Sequence, residues 1–170
     1  MQVNELLIEG FGRLPELVHG AVDGLTAEQL HWAPAPGANS IGWLVWHLTR
    51  VQDEHLTDLI DGAEQVWTSG DHARRFGLKA EPDDTGYAHT PEQVSAVRPE
   101  SPDALLEYFG AVHERNTAWL ATLTPADLDL VVDERWDPPV TLGVRLVSVL
   151  DDDTQHAGQA AYVRGLLPGV

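Results

Sequence analysis

The sequence predicts an all-α protein: a four-helix bundle with a long crossover between the second and third helices. Four stretches carry apolar residues at helical spacing, and the turn-forming residues fall mainly between these stretches. No stretch alternates polar and apolar residues as a half-buried strand would. The 170 residues are expected to form a single domain, residues 1–170, because domains of about 100–150 residues are the commonest.

The first helix is predicted from about Val3 to Val22, with a bend at its glycines and at Pro15. Its core side is expected to carry Leu6, Leu7, Phe11, Leu14, Val18 and Val22. The second helix is predicted from Ile41 to about Ile60, directly after Ser40, a residue type that caps helix N-termini. One side of this helix carries Leu44, His47, Leu48, Val51, His55 and Leu59.

Residues 62–100 are rich in Gly, Asp, Pro and Thr, and only Pro91–Val97 has a short helical pattern. We interpret this segment as a crossover or a lid. Ser101 and Pro102 favour the start of a third helix that extends to about Leu123. A brief extended arm is predicted around Trp136, and Thr141 is expected to cap a last helix that ends near Leu167.

Composition and charge restrict the function. The 27 acidic and 10 basic residues give a formal charge of −17, so phosphate backbones and anionic membranes would be repelled. Because the chain has no cysteine, a metal would need His and carboxylate ligands, and a reactive sulfur would come from a small molecule. The chain shows neither the basic flank of a signal peptide nor about 18 consecutive apolar residues, so a cytoplasmic location is expected.

Polar residues interrupt the apolar stripe of the last predicted helix, which otherwise carries Leu142, Leu146, Val149, Ala160, Val163 and Leu167. Asp152 and His156 are four residues apart and would share one helix face, with Asp153 as a second candidate for the carboxylate. His47 lies on the core side of the second helix and is the natural third ligand. Two imidazoles and one carboxylate would hold a divalent ion and leave a position for water or substrate. The alternative for an Asp–His pair at this spacing is a hydrogen-bonded pair or an exposed face.

Two motifs carry a resemblance to a known family. The segment Pro34-Ala-Pro-Gly-Ala-Asn-Ser-Ile-Gly-Trp-Leu-Val-Trp-His47-Leu, together with Thr154-Gln-His156-Ala-Gly-Gln-Ala-Ala-Tyr-Val-Arg164, resembles the DinB/YfiT-like superfamily of bacterial four-helix metalloproteins. The resemblance implies a bundle that holds a divalent metal on His47, Asp152 and His156. Zinc is the first choice of ion, with nickel, manganese and iron as alternatives. The acidic residue at 152 follows the mycothiol-related branch, although Asp stands where Glu is commoner.

The resemblance also implies an activity. Members of this superfamily include thiol S-transferases and a mycothiol-dependent isomerase, so we expect a low-molecular-weight thiol as cosubstrate and a small electrophile as its acceptor. A homodimer is a further expectation from the resemblance, with no nucleic acid and no membrane as partner. Two alternatives stay open: a non-catalytic metal-stabilised or ligand-sensing bundle, and a metal-dependent hydrolase that uses the same site.

Other residues near the predicted site have two interpretations each. Arg74 or Arg75 of the crossover would bind an anionic substrate group, or would pair with the acidic surface. Arg164 would reach a carboxylate of the ligand, or would cap a backbone carbonyl near the helix end. His55 would project toward the same cavity, or would be an ordinary partly buried histidine. Glu54 would orient an imidazole or accept a proton, or would be a solvated surface residue.

Overall fold

The computed structural model describes residues 1–169 and is predominantly helical, which confirms the all-α fold class. One two-stranded antiparallel ribbon accompanies the helices, formed by β1 (Val131–Asp133) and β2 (Val140–Thr141). The α-helices are α1 (Val3–Phe11), α2 (Leu14–Val22), α3 (Ala27–His31), α4 (Ile41–Thr57), α5 (Val66–Ser69), α6 (His72–Arg75), α7 (Pro91–Ala96), α8 (Pro102–Leu120) and α9 (Leu142–Gly165). A 3-10 turn at Asp127–Asp129 precedes the ribbon.

The first predicted helix is broken into α1 and α2, as the bend predicted near Gly12 and Pro15 requires. Pro15 lies in the first turn of α2, where its missing N–H costs nothing. One residue of the predicted core side was wrong: Leu6 is 58% exposed. The buried side of the short helix α1 is centred on Phe11, and Leu6 is rotated away from it.

Helix α4 is the central element, because every residue from Ile41 to Asp53 is buried. It packs against α9, α8 and α3, so it has no solvent-facing side over this length. The Ser40 hydroxyl accepts a hydrogen bond from the Trp43 backbone N–H at 3.2 Å, which fixes the start of the helix at the predicted residue. The helix ends at Thr57, three residues before the predicted end.

Helices α8 and α9 begin where the predicted caps place them. The Ser101 and Thr141 side chains each accept a hydrogen bond from the backbone N–H three residues later. The predicted apolar stripe is confirmed, since all six of its residues are buried, although the last of them, Leu167, lies two residues beyond the end of α9. Helix α9 runs antiparallel to α4 and makes with it the most extensive helix–helix packing of the described residues.

A buried ion-pair network attaches the segment between α4 and α8 to the helices. The Asp53 carboxylate is fully buried and accepts hydrogen bonds from the backbone N–H groups of Val66 and Trp67, at 3.0 and 2.8 Å, and from the Tyr108 hydroxyl at 2.8 Å. The Arg115 guanidinium donates to it at 3.0 Å. Asp53 therefore holds α5 and α8 against α4, and its carboxylate is fully used in doing so.

Arg50 completes this network and is itself fully buried. Its five N–H donors reach five acceptors: the Asp84 and Pro82 carbonyls, the Gln65 side chain, the Tyr108 hydroxyl and Asp53. The guanidinium thereby fixes the backbone of residues 82–84 beside α4.

None of the helices within residues 1–169 has the length and apolar character that crossing a bilayer requires.

Candidate metal centre

Three predicted ligands converge between α4 and α9. His47, Asp152 and His156 each offer one ligand atom, and these atoms all lie within 4.8 Å of one another. The Asp152 carboxylate oxygens lie 3.9 Å from Nε2 of His47 and 3.6 Å from Nε2 of His156. The two imidazole rings meet edge to face with their centroids 4.6 Å apart. Residues more than one hundred positions apart in the chain thus form one cluster.

A backbone carbonyl determines which nitrogen of His47 faces the cluster. The Nδ1–H group donates a hydrogen bond to the Thr85 carbonyl oxygen, with the two heavy atoms 2.5 Å apart. A carbonyl can only accept, so the proton resides on Nδ1 and the lone pair of Nε2 points toward Asp152. Burial lowers the pKa of His47, which favours the neutral imidazole that a metal ion requires.

His156 is oriented in the same way. Its Nδ1 atom lies 2.9 Å from the Gln159 side-chain oxygen, which leaves Nε2 toward the cluster. The neighbouring Asp152 carboxylate raises the pKa of His156. Burial acts to raise the pKa of Asp152, but the facing imidazoles of His156 and His47 outweigh it and leave this pKa below its ordinary value.

Aromatic rings and a glycine enclose the cluster on one side. Trp43 stacks on His47, with ring centroids 4.6 Å apart, and meets the edge of His156 at 6.2 Å. Gly86 has φ +90° and lies so close that a Cβ atom there would be 2.8 Å from the Trp46 ring and 3.1 Å from Nδ1 of His47. Only glycine permits both this conformation and this approach, and both keep the Thr85 carbonyl against His47.

His89 fixes the other end of this turn. The Trp43 indole N–H donates to Nδ1 of His89 at 3.2 Å, and the His89 Nε2–H donates to the Asp84 carboxylate at 2.8 Å. The His89 ring also stacks on Trp46. Residues 84–89 are therefore a structured wall of the site, supported by side chains from α4.

The residues fit a divalent ion. One Asp152 oxygen, Oδ2, is buried and has no hydrogen-bond partner among residues 1–169, and it faces His47. Such an oxygen is costly to bury alone, and a cation between the three side chains would compensate it. Two imidazole nitrogens and one carboxylate oxygen are a ligand set that zinc accepts, with a fourth position left open. Asp153 lies outside the cluster and is fully buried, which together with the Asp152 charge raises its pKa well above the ordinary value.

The cluster opens onto a cavity of about 640 Å³ between α4, α9 and the two loops that flank them. Glu54 and His55 line this cavity, as the first interpretation of His55 predicted. The segment 83–87 and the β1–β2 ribbon with its connecting loop also contribute to the cavity wall. The lining residues are His47, Val51, Glu54, His55, Asp83, Thr85, Tyr87, Asp133, Arg135, Trp136, Arg145, Ser148, Val149 and Asp152.

The three arginines predicted to bind an anionic group do not line this cavity. Arg74 is exposed and pairs with Asp71, and Arg75 pairs with Glu100 and Glu107. Arg164 donates to the Asp23 carbonyl at 2.8 Å. Each of these contacts matches the alternative interpretation given from the sequence, and ligand binding by these arginines stays a prediction without a supporting contact.

Several residues of the cavity were not predicted. Thr85 acts through its carbonyl, and no side-chain pattern identifies a backbone acceptor in a turn. Arg145 and Asp133 meet only in the folded chain, although the seven-residue spacing from Arg145 to Asp152 already placed both on one face of α9. Trp136 was predicted only as part of an extended arm.

Comparison with known proteins identifies the family. The model of the DinB superfamily matches residues 11–160, so the chain belongs to the DinB superfamily. A crystal structure described as the conserved protein of a locus from Enterococcus faecalis is similar to the chain over 100% of its length and 99% of that protein. The two share 32% sequence identity with a TM-score of 0.89. No curated protein matches the chain.

Proposed function

We propose that the protein holds one divalent ion, zinc in the first instance, on His47, Asp152 and His156 and transfers a low-molecular-weight thiol of the mycothiol type to a small electrophile. The observation that carries this proposal is the unpartnered Asp152 oxygen between two imidazoles, at the wall of a cavity large enough for a substrate. Family membership supports the metal-binding part of it.

The chain's own residues would bind the ion and position the thiol beside it. When bound, a divalent ion with an open position lowers the pKa of a thiol or water that occupies this position. The Thr85 carbonyl and Gln159 keep both Nε2 atoms directed at the ion, and Val51 and Val149 give the adjacent cavity wall an apolar surface. Since the chain has no cysteine, the sulfur belongs to the cosubstrate.

The transfer balances without a redox partner. The S–H bond of the thiol and the bond from carbon to the leaving group break, and an S–C bond forms. The products are a thioether and the protonated leaving group.

The test combines metal analysis with a thiol assay. Protein purified without a nickel column is expected to contain about one divalent ion per chain, and its zinc form is expected to consume mycothiol, bacillithiol or glutathione in the presence of a generic electrophile. His156→Ala should lose both ion and turnover. His19→Ala is the matched control, because His19 is an exposed histidine of α2 far from the cluster in sequence.

Each alternative gives a different result in these assays. Thermal stabilisation by the ion without turnover of any thiol would assign a non-catalytic module and contradict the transferase. Hydrolysis of a generic ester without thiol consumption would assign water as the nucleophile.

We also infer the arrangement and state of the molecule. Helices α1 with α2, α4, α8 and α9 would be the four arms of a bundle, and the segment between α4 and α8 its crossover. A cytoplasmic homodimer is the proposed state, and light scattering of the purified protein tests the dimer.

A further inference from the structure

We propose that Arg145, together with Arg135, forms a second subsite of the cavity, which binds an oxyanion of the substrate, a carboxylate or a phosphate group, roughly 10 Å from the metal centre. Both arginines line the same cavity as His47 and Asp152. The subsite lies at the other end of that cavity, where α9 and the β1–β2 ribbon meet.

The first argument is that Arg145 has donors to spare. Its NH2 group donates to the Asp133 carboxylate at 3.0 Å, and NH1 lies 3.3 Å from Nδ1 of His55. A guanidinium has five N–H donors, so at least three of the five have no acceptor among residues 1–169. Arg50, by contrast, uses all five on protein acceptors. The Arg145 side chain is 18% exposed, and the residue lines the cavity.

The second argument is the local charge. Asp133 is the one carboxylate between two guanidinium groups: Arg135 donates to it through Nε and NH2, both at 2.8 Å, and Arg145 from the other side. Asp133 is thus shared, and Arg145 forms no other ion pair among residues 1–169. The nearby Glu54 carboxylate lies 2.6 Å from Nδ1 of His55 and interacts with Arg145 only at longer range. Guanidinium groups bind carboxylates and phosphates through paired N–H donors, so an oxyanion is the matching ligand class.

The third argument is the geometry of the two helices. Arg145 precedes Asp152 by seven residues on α9, which is roughly 10 Å at 1.5 Å per residue. On α4, His55 follows His47 by eight residues, so each wall of the cavity carries a candidate metal ligand at one end and a partner of the Arg145–His55 contact at the other. The substrate class that matches is an elongated molecule with its reacting group at the ion and an oxyanion at Arg145. This length rests on the proposed function, whereas the oxyanion subsite does not.

A series of ω-mercaptoalkanoic acids of increasing chain length serves as a molecular ruler on the zinc-loaded protein. The affinity is expected to peak at the acid whose extended length spans roughly 10 Å, and alkanethiols of equal length should show no such peak. A parallel series of ω-mercaptoalkyl phosphates distinguishes a carboxylate subsite from a phosphate subsite. The series with the tighter peak identifies the group that the subsite prefers.

Substitution of Arg145 tests the residue itself. Arg145→Gln should weaken the best acid or phosphate by about 10- to 100-fold and leave the alkanethiols unchanged, because only the charged hydrogen bonds are lost. Arg145→Lys keeps the positive charge but lacks the paired N–H donors of the guanidinium, so it should give an intermediate loss of affinity. Arg74→Gln is the matched control, an arginine that pairs with Asp71 and does not line the cavity.

The outcomes separate this inference from the proposed function. The metal-free protein is titrated with alkanoic acids and alkyl phosphates that lack the thiol. Binding that Arg145→Gln weakens at least tenfold would support the subsite even if no thiol were transferred. Equal binding by the wild type and Arg145→Gln in both forms of the protein would overturn the subsite while the metal centre stands. An equal loss for charged and uncharged thiols would also overturn it, because that loss would report only damage to the Asp133 contact.

Discussion

Helix α4 carries two buried polar clusters that differ in how completely their polar atoms are paired. The Asp53 carboxylate accepts hydrogen bonds from two backbone N–H groups, a tyrosine and two arginines. The Asp152 carboxylate, which meets α4 at His47, has one buried oxygen with no partner among the described residues. Both clusters are acidic groups inside the protein, but only the second can accept a ligand. Completeness of hydrogen bonding therefore distinguishes these two carboxylates.

The largest effect is expected from Asp53→Ala. The change leaves the fully buried Arg50 guanidinium without its carboxylate, and breaking a buried ion pair in this way costs about 3–5 kcal/mol. Denaturant unfolding measures the loss of unfolding free energy. Asp58→Ala, at the exposed end of α4, is the control and should change stability by less than about 0.5 kcal/mol. Similar stabilities for the two variants would mean that the network contributes little.

Asp152→Ala should have the opposite effect, a large loss of metal affinity with little loss of unfolding free energy. Metal affinity is expected to fall by more than the roughly 10- to 100-fold that loss of a second-shell partner costs, because a direct ligand is removed. The metal-free variant should lose little stability, because the unpartnered buried oxygen disappears together with the attraction between Asp152 and His156. Competition titration with a chelator and denaturant unfolding measure the two quantities. A large loss of metal-free stability would place Asp152 in the scaffold and contradict the comparison.

Gly86→Ala tests the same comparison by disturbing the site without replacing any of its three candidate ligands. The added methyl group would meet Trp46 and His47 and displace the Thr85 carbonyl, so metal affinity should fall by about 10- to 100-fold. In a cobalt-substituted protein the visible spectrum should shift, because the His47 ring changes its orientation. Gly62→Ala is the matched control: its φ of +69° imposes the same backbone strain, but the space around it is open. Equal metal affinities for the two variants would exclude a positioning role for Gly86.

The smallest effect is expected from Arg164→Gln. The contact of Arg164 with the Asp23 carbonyl ties the end of α2 to α9, and its loss should cost about 0.5–1.5 kcal/mol of unfolding free energy. Metal affinity and binding of the ω-mercaptoalkanoic acids should stay at the wild-type level in the same titrations. A selective loss of acid binding would restore the ligand-binding interpretation of Arg164.

The long helices were predictable because they leave a periodic signal, and the candidate metal ligands because they interrupt it. Ser40, Pro102 and Thr141 identify helix starts, and polar residues within the apolar stripe of α9 identify Asp152 and His156 as exceptions that need a partner. The Asp53 network left no such signal. Since α4 is buried on all sides, Arg50 and Asp53 interrupt no stripe, and their partners come from distant segments.

The short helices α5 and α6 and the turn at Gly86 were not predictable for a related reason. Four-residue helices are too short for a period to be recognised. They are held here by tertiary contacts, α5 to Asp53 and α6 through Arg75 to Glu107 of α8. The Thr85 contact depends on a carbonyl, which every residue carries. Sequence patterns show which side chains a fold buries or exposes according to their polarity. Neither the four-residue helices nor the Thr85 carbonyl contact leaves such a pattern.

The position of Arg50 has a consequence for how variants of this protein are interpreted. Its guanidinium holds the Pro82 and Asp84 carbonyls. Asp84 directly precedes Thr85, whose carbonyl orients His47. A mutation that loosens Arg50 would therefore misalign an imidazole three residues away on the same helix while every ligand is still present. In a screen for variants that no longer bind metal, such changes would mimic loss of a ligand, and recovery of metal binding at raised metal concentration would reveal their origin in the framework.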